Sequence, residues 1–152
     1  MTSSGIVTCI SKFGPKETMD RLAAAVTTRG ISIMARIDHA AAAAEIGMEL
    51  RPTEVLIFGN PRAGTPLMQA VQTVGIDLPL KALVWQDEGG TTWLTYNDPQ
   101  WLAQRHGVGS APSCYGRGPR RGCERSDRGI RRAVVAPDET GAEPAILTRE
   151  EK

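Results

Sequence analysis

Apolar residues recur with two different periods along the first two thirds of the chain, and the switches between them mark the elements. Ile6 to Ser11 is a short β-favouring run closed by Phe13-Gly14-Pro15. From Lys16 to Arg29, Met19, Leu22, Ala23 and Val26 stand at helical spacing until Gly30 stops them. The period then falls to two: Ile31, Ile33, Ala35 and Ile37 alternate with Ser32, Met34, Arg36 and Asp38, which predicts a half-buried strand. Ala40 to Ile46 reads as a short alanine-rich helix closed by Gly47. Thr53 to Phe58 carries the unbroken run Val55-Leu56-Ile57-Phe58, the pattern of a strand covered on both faces and central in its sheet.

The exit of that strand, Phe58-Gly59-Asn60-Pro61-Arg62-Ala63-Gly64-Thr65-Pro66-Leu67-Met68, concentrates glycine and proline, which open or fix backbone angles as ordinary packing does not require. Thr65 is placed to cap a helix with Pro66 at its first position and Leu67, Met68 and Val71 on its buried stripe, ending at Gly75. Leu80 to Gln86 and Thr92 to Asn97 are joined by Asp87-Glu88-Gly89-Gly90, a hairpin signal. Asp98-Pro99 opens a last short helix with Trp101 and Leu102. The order β-α-β-(short α)-β-α-β-β-α predicts one compact α+β domain over residues 1–108, with helices packed on a mainly antiparallel or mixed sheet.

Composition narrows the class. A chain of 152 residues with a hydrophobic share of 41% holds one domain of ordinary size. No stretch approaches the roughly 18 uninterrupted apolar residues of a spanning helix, and Met1-Thr2-Ser3-Ser4-Gly5 lacks a basic segment followed by an apolar one, so the cytoplasm is the default location. Cys9, Cys114 and Cys123 form no close pair, and with only His39 and His106 beside them neither a disulfide framework nor a metal site is indicated. The near-neutral charge is uneven: residues 1–106 hold 9 basic and 10 acidic side chains, residues 107–152 hold 9 and 7. Seven arginines fall between Pro112 and Arg132 among glycines and without periodicity, so residues 109–152 read as a disordered Arg/Gly/Pro-rich tail. Out-of-frame translation of a GC-rich coding strand yields the same mixture. A nucleic-acid-binding arm is the rival, but the domain before it has no basic excess and Tyr115 is the tail's one aromatic residue, which argues against nucleic acid as a partner.

Ile37-Asp38-His39-Ala40, Leu50-Arg51-Pro52-Thr53, Phe58-Gly59-Asn60-Pro61, Gly64-Thr65-Pro66-Leu67-Met68, Asp77-Leu78-Pro79-Leu80-Lys81 and Tyr96-Asn97-Asp98-Pro99 resemble, in that order, the bacterial domain-of-unknown-function 302 family. The resemblance covers about Ile6 to Val108 and stops there. It implies an α+β fold, a small stand-alone bacterial protein and a homodimer, and it implies no reaction.

The candidate chemistry is sparse. Gly59 and Gly64-Thr65 after a strand echo a phosphate-cradling loop, but the lysine is missing and Pro61 and Pro66 remove two of the N–H groups a nucleotide would need. A smaller anion held by Arg62, Thr65 and the remaining N–H groups is still compatible; the plain alternative is a rigid turn in which the Asn60 side chain bonds its own backbone. His39 is the candidate acid or base, with Asn60 as its best partner; the plain alternative makes Asp38 an ion-pair member or the cap of the next helix and His39 a hydrogen-bonded residue at the core's edge. Arg51 stands where its guanidinium would reach a bound carboxylate or phosphate, or pair with Glu49 or Glu54. Trp85 and Trp93 read as core or dimer-interface residues. The favoured reading is a non-catalytic small-molecule or anion-binding homodimer whose site collects His39, Arg51, Asn60, Arg62 and Thr65; the alternative is a small enzyme using His39 on a small polar substrate. No nucleophile, metal set or cofactor fingerprint accompanies them.

Overall fold

Strands Ile6–Ser11 (β1), Ser32–Asp38 (β2), Thr53–Gly59 (β3), Leu80–Gln86 (β4) and Thr92–Asn97 (β5) form an antiparallel sheet in the order β2-β3-β4-β5-β1 in the computed structural model, which describes residues 5–108 and Leu147–Thr148. Leu147–Thr148 (β6) pairs with the outer side of β1. Apart from that pair, the arginine-rich tail predicted to be disordered lies outside the described residues. The hairpin is formed as expected: the Asp87 N–H donates to the Thr91 carbonyl, the Asp87 carboxylate accepts from the Thr91 N–H, and Gly90 takes a φ of +81°.

Helix α1, Pro15–Thr28, starts with proline at its first turn and lays Met19, Leu22 and Val26 on one face of the sheet, against Leu56, Phe58, Ala82, Val84, Leu94 and Tyr96. All nine are buried, and they form the main core. Arg36 of β2 ties the layers together. It donates to Asp20 of α1 at 2.7 Å and to Glu54 of β3, which raises the pKa of its guanidinium, Glu54 contributing most. Asp20 is held below the ordinary carboxylate range, first by Lys16 and then by Arg36. A second cluster gathers Val74, Leu102 and Val108 beside Leu80, where helix α4, Pro99–Arg105, meets the 3₁₀ turn Gln72–Ile76. His106 Nε2 lies 2.5 Å from Asp77 Oδ2 and fastens that junction.

Three expectations need correction. Helix α3 spans Pro61–Ala70, so Asn60 is its cap and Pro61 its first residue, while Thr65 and Pro66 lie inside it. The chain offers two Asx/Ser/Thr-Pro start signals within seven residues, and the earlier one, with a carboxamide oxygen that accepts from the Arg62 N–H at 2.9 Å, prevails. Val71 leaves the helical region at φ −142° and the chain continues as a 3₁₀ turn; Leu67, Met68 and Val71, expected on a buried stripe, are only half-buried, and Val74 is the buried residue there. In β2 the register against β3 shifts between Ile33 and Ala35, so Ile33 pairs with Phe58 while Ala35 and Ile37 pair with Ile57 and Val55. The extra residue there sends Ile33 to the other face, and the strict alternation fails. Finally, β3 lies one strand from the edge, and among the described residues helix α1 covers one of its faces: Leu56 and Phe58 are buried under it, while Val55 and Ile57 are half-buried.

Candidate functional site

The five expected ligand-binding residues do not form one site. β2 and β3 are antiparallel, with Asp38 opposite Glu54 and Ser32 opposite Gly59. His39, the first residue of helix α2 (His39–Glu45), therefore stands at the Thr53 end of β3 together with Arg51, while Asn60, Arg62 and Thr65 lie at the Gly59 end. Six residue steps of extended chain separate the two ends, about 20 Å at roughly 3.3 Å per residue. Asn60 is thus no partner for His39. His39 is exposed and makes no hydrogen bond to a described residue, unlike the core-edge role expected of it, because the chain turns into α2 one residue earlier under the Asp38 cap on the Ala41 N–H. Arg51 pairs with Glu88 at 3.8 Å rather than with Glu49 or Glu54, both side chains being well exposed.

At the other end the turn is self-contained. The Asn60 side chain takes the Arg62 N–H, and the Asn60 carbonyl accepts from Ala63 and Gly64 at 2.9 and 3.0 Å. With Pro61 contributing no donor, the first-turn N–H groups are occupied, so the phosphate-loop echo resolves into a capped helix start. The exposed Arg62 and Thr65 side chains are the groups left over.

The face of the sheet away from α1 stands out more. Pairing in register places Ala35 and Ile37 of β2, Val55 and Ile57 of β3, Leu83 and Trp85 of β4, Trp93 and Thr95 of β5 and Thr8 and Ile10 of β1 on the side away from α1. None of these side chains is buried. Trp85 and Trp93 stack with ring centroids 5.9 Å apart and planes 19° from parallel. Trp85 Nε1 donates to Thr95 Oγ1 at 2.9 Å, and Thr95 Oγ1 lies 3.0 Å from Thr8 Oγ1. Trp93 Nε1 donates to Asp87 Oδ2 at 2.8 Å. The rings are thereby held in fixed orientation on a mainly apolar face that also carries Thr8, Thr95 and Lys81. Val55, Ile57, Leu83, Thr8 and Thr95 were not among the candidates read from sequence. The signal was present, since an unbroken apolar strand demands cover on both sides, but the sequence does not say on which side the helices pack.

The Asp87 carboxyl sits below its ordinary range, chiefly because the Trp93 indole N–H bonds it and next because the Thr91 N–H does. A carboxylate whose folded-state pKa is depressed contributes stability that is present above its unfolded value, near 4, and is lost as pH falls through the folded one. Acidification below that range is therefore expected to free the Trp93 ring and shift its emission before the helical signal is lost. Asp87→Asn should remove that early fluorescence step; an unchanged step in the variant would dissociate it from this bond.

An antiparallel five-stranded sheet with helix α1 on one face and a mainly apolar, aromatic-bearing opposite face defines an α+β protein with no recognisable catalytic constellation among the described residues. Residues 7–114 match the family described as domain of unknown function DUF302. The chain belongs to that family. It is similar to the uncharacterized conserved protein DUF302 from Bacillus stearothermophilus, whose crystal structure superposes with a TM-score of 0.62 at 24% identity, covering 68% of this chain and 80% of that one. It is also 52% identical over 106 residues to proteins named fluoride-specific ion channel FluC 1 from Brucella suis and Brucella abortus. That match covers 70% of this chain but only 42% and 39% of those relatives. The chain thus spans about two fifths of the curated relatives it matches. No described helix is long and apolar enough to cross a membrane.

Proposed function

We propose that this chain is a non-catalytic homodimeric module that works through the open face of its sheet and takes a small anion as ligand. The observation that carries the dimer is the half-covered strand β3: Leu56 and Phe58 lie under α1, and no described element buries Val55 and Ile57. Five strands about 4.8 Å apart and about 20 Å long give a face of roughly 500 Å² in projection, more once side-chain relief is counted. That is the scale of the about 800 Å² per partner of a standard interface, and an apolar patch of this size is often a functional contact surface. A second copy brings an identical face, as an isologous contact requires.

The anion rests on different support. A sequence half-identical to this one forms part of proteins named for fluoride, so fluoride is the first anion to try. The groups on offer are Arg62 and Thr65 beside Asn60 at one end of β3, and His39 and Arg51 at the other. The enzyme reading has Asn60 as the hydrogen-bonding partner of His39, and the two stand at opposite ends of β3.

Thermal unfolding of the full chain in sodium fluoride against sodium chloride tests this part. Fluoride at 100 times its Kd stabilises by about 2.7 kcal/mol, so the melting temperature should rise by several degrees, and Arg62→Ala or Arg51→Ala should abolish the rise. Equal melting in both salts, or a rise that survives both substitutions, would count against the proposed groups.

A further inference from the structure

We infer that the Trp85–Thr95–Thr8 network is the polar register point of the dimer interface, where each protomer hydrogen-bonds the same network of its copy. This rests on the homodimer reading above. Three donors meet in the network: the Trp85 indole N–H and the two threonine hydroxyls. The two hydroxyl oxygens offer four lone pairs. The indole bond and the Thr8–Thr95 bond use two donors and two lone pairs, whichever hydroxyl donates to the other. One hydroxyl proton and two lone pairs always remain. Neither threonine hydroxyl makes a further hydrogen bond to a described residue, and the nearest neighbours are apolar: Leu83 lies opposite Thr95 on β4, and Trp93 and Ile10 stand in the next row.

In a lone protomer water satisfies the spare proton. Packing the face against a purely apolar surface would strand it, and a buried donor without an acceptor is costly. A second copy solves this without any other group. Its network carries the same spare proton and the same spare lone pairs, so two reciprocal hydrogen bonds across a two-fold axis satisfy both. Aliphatic contacts slide at little cost, whereas these bonds form in one alignment only. A purely apolar partner lacks the acceptor, and a water-mediated monomer surface needs no reciprocity.

Sedimentation equilibrium on the full-length chain, with far-ultraviolet circular dichroism to check folding, tests the inference. Wild type should be a dimer. Thr95→Val should raise the dimer Kd by at least about tenfold while the helical signal persists, and Thr95→Ser, which restores the hydroxyl, should return the Kd to within about threefold of wild type. A Thr95→Val dimer as tight as wild type would overturn the register point and leave the dimer standing. A wild-type chain that stays monomeric at every concentration would remove the dimer reading itself. Should Thr95→Val unfold, the wild-type protein still decides through its hydroxyl protons in nuclear magnetic resonance. A threonine hydroxyl proton from this pair shielded from exchange in the dimer supports the reciprocal bonds, and fast exchange of both with water refutes them.

Discussion

Leu83→Glu is expected to convert the dimer into folded monomers. Leu83 stands in the middle of β4 with Val55 of β3 on one side and Thr95 of β5 on the other, facing away from α1. In a single protomer the new carboxylate points into water and disturbs none of the buried residues. In the dimer it is stripped of water against an apolar surface, and the same happens in the other copy. The nearest cationic candidate on that face, Lys81, already donates to the Pro79 carbonyl at 3.3 Å. Desolvating an ion costs several kcal/mol after relaxation, and about 4 kcal/mol is a factor of roughly 10³ in Kd. Sedimentation equilibrium should therefore find a mass of one chain at concentrations where wild type has two, with an unchanged circular dichroism spectrum. A variant dimer as tight as wild type would place the interface elsewhere.

The second large effect lies one residue from the open face. Leu56 is fully buried between β2 and β4 beneath α1, whereas its neighbour Ile57 projects from the other side of the same strand. Leu56→Ala opens a cavity in the main core, and such truncations cost about 2–5 kcal/mol. For a domain of this size each kcal/mol lowers the melting temperature by about 4–8 °C, so a fall of about 10 °C or more is expected. The measurement belongs on the Leu83→Glu background, where unfolding does not also report dissociation. Ile57→Ala should do the reverse, with a small loss of monomer stability and a clear loss of dimer affinity. Equal losses of melting temperature for both variants would mean that the two faces of β3 are equally covered within one chain.

Much of this fold was legible in sequence because its elements announce themselves at their ends. Gly14-Pro15, Asp98-Pro99 and the Asp87 to Gly90 turn each place a special backbone residue where the chain must start a helix or reverse, and the structure uses all three. What was not legible depended on pairing. The extra residue near Met34 changes which apolar residues of β2 share a face, and nothing local to Ile33 or Ala35 reports it. Asn60-Pro61 and Thr65-Pro66 are equally good helix starts by composition, and the hydrogen bonds of the Asn60 turn decide between them.

The candidate site failed for a topological reason. His39 and Asn60 both flank the β2–β3 pair, and in a parallel pair the ends after these strands would coincide. Antiparallel pairing sends them to opposite ends. The unbroken Val55 to Phe58 run carried the better functional signal. It called for cover on both faces, and the described residues supply cover on one.

A soluble paramagnetic agent added to the methyl-labelled full chain tests that claim most directly, because it reads the solvent exposure of named side chains. The dimer predicts that Val55, Ile57 and Leu83 methyl signals broaden as little as those of the buried Leu56 and Val84, while exposed Ile76 is strongly broadened. Broadening of Val55, Ile57 and Leu83 to an extent approaching that of Ile76 would show an open face in solution and contradict the account.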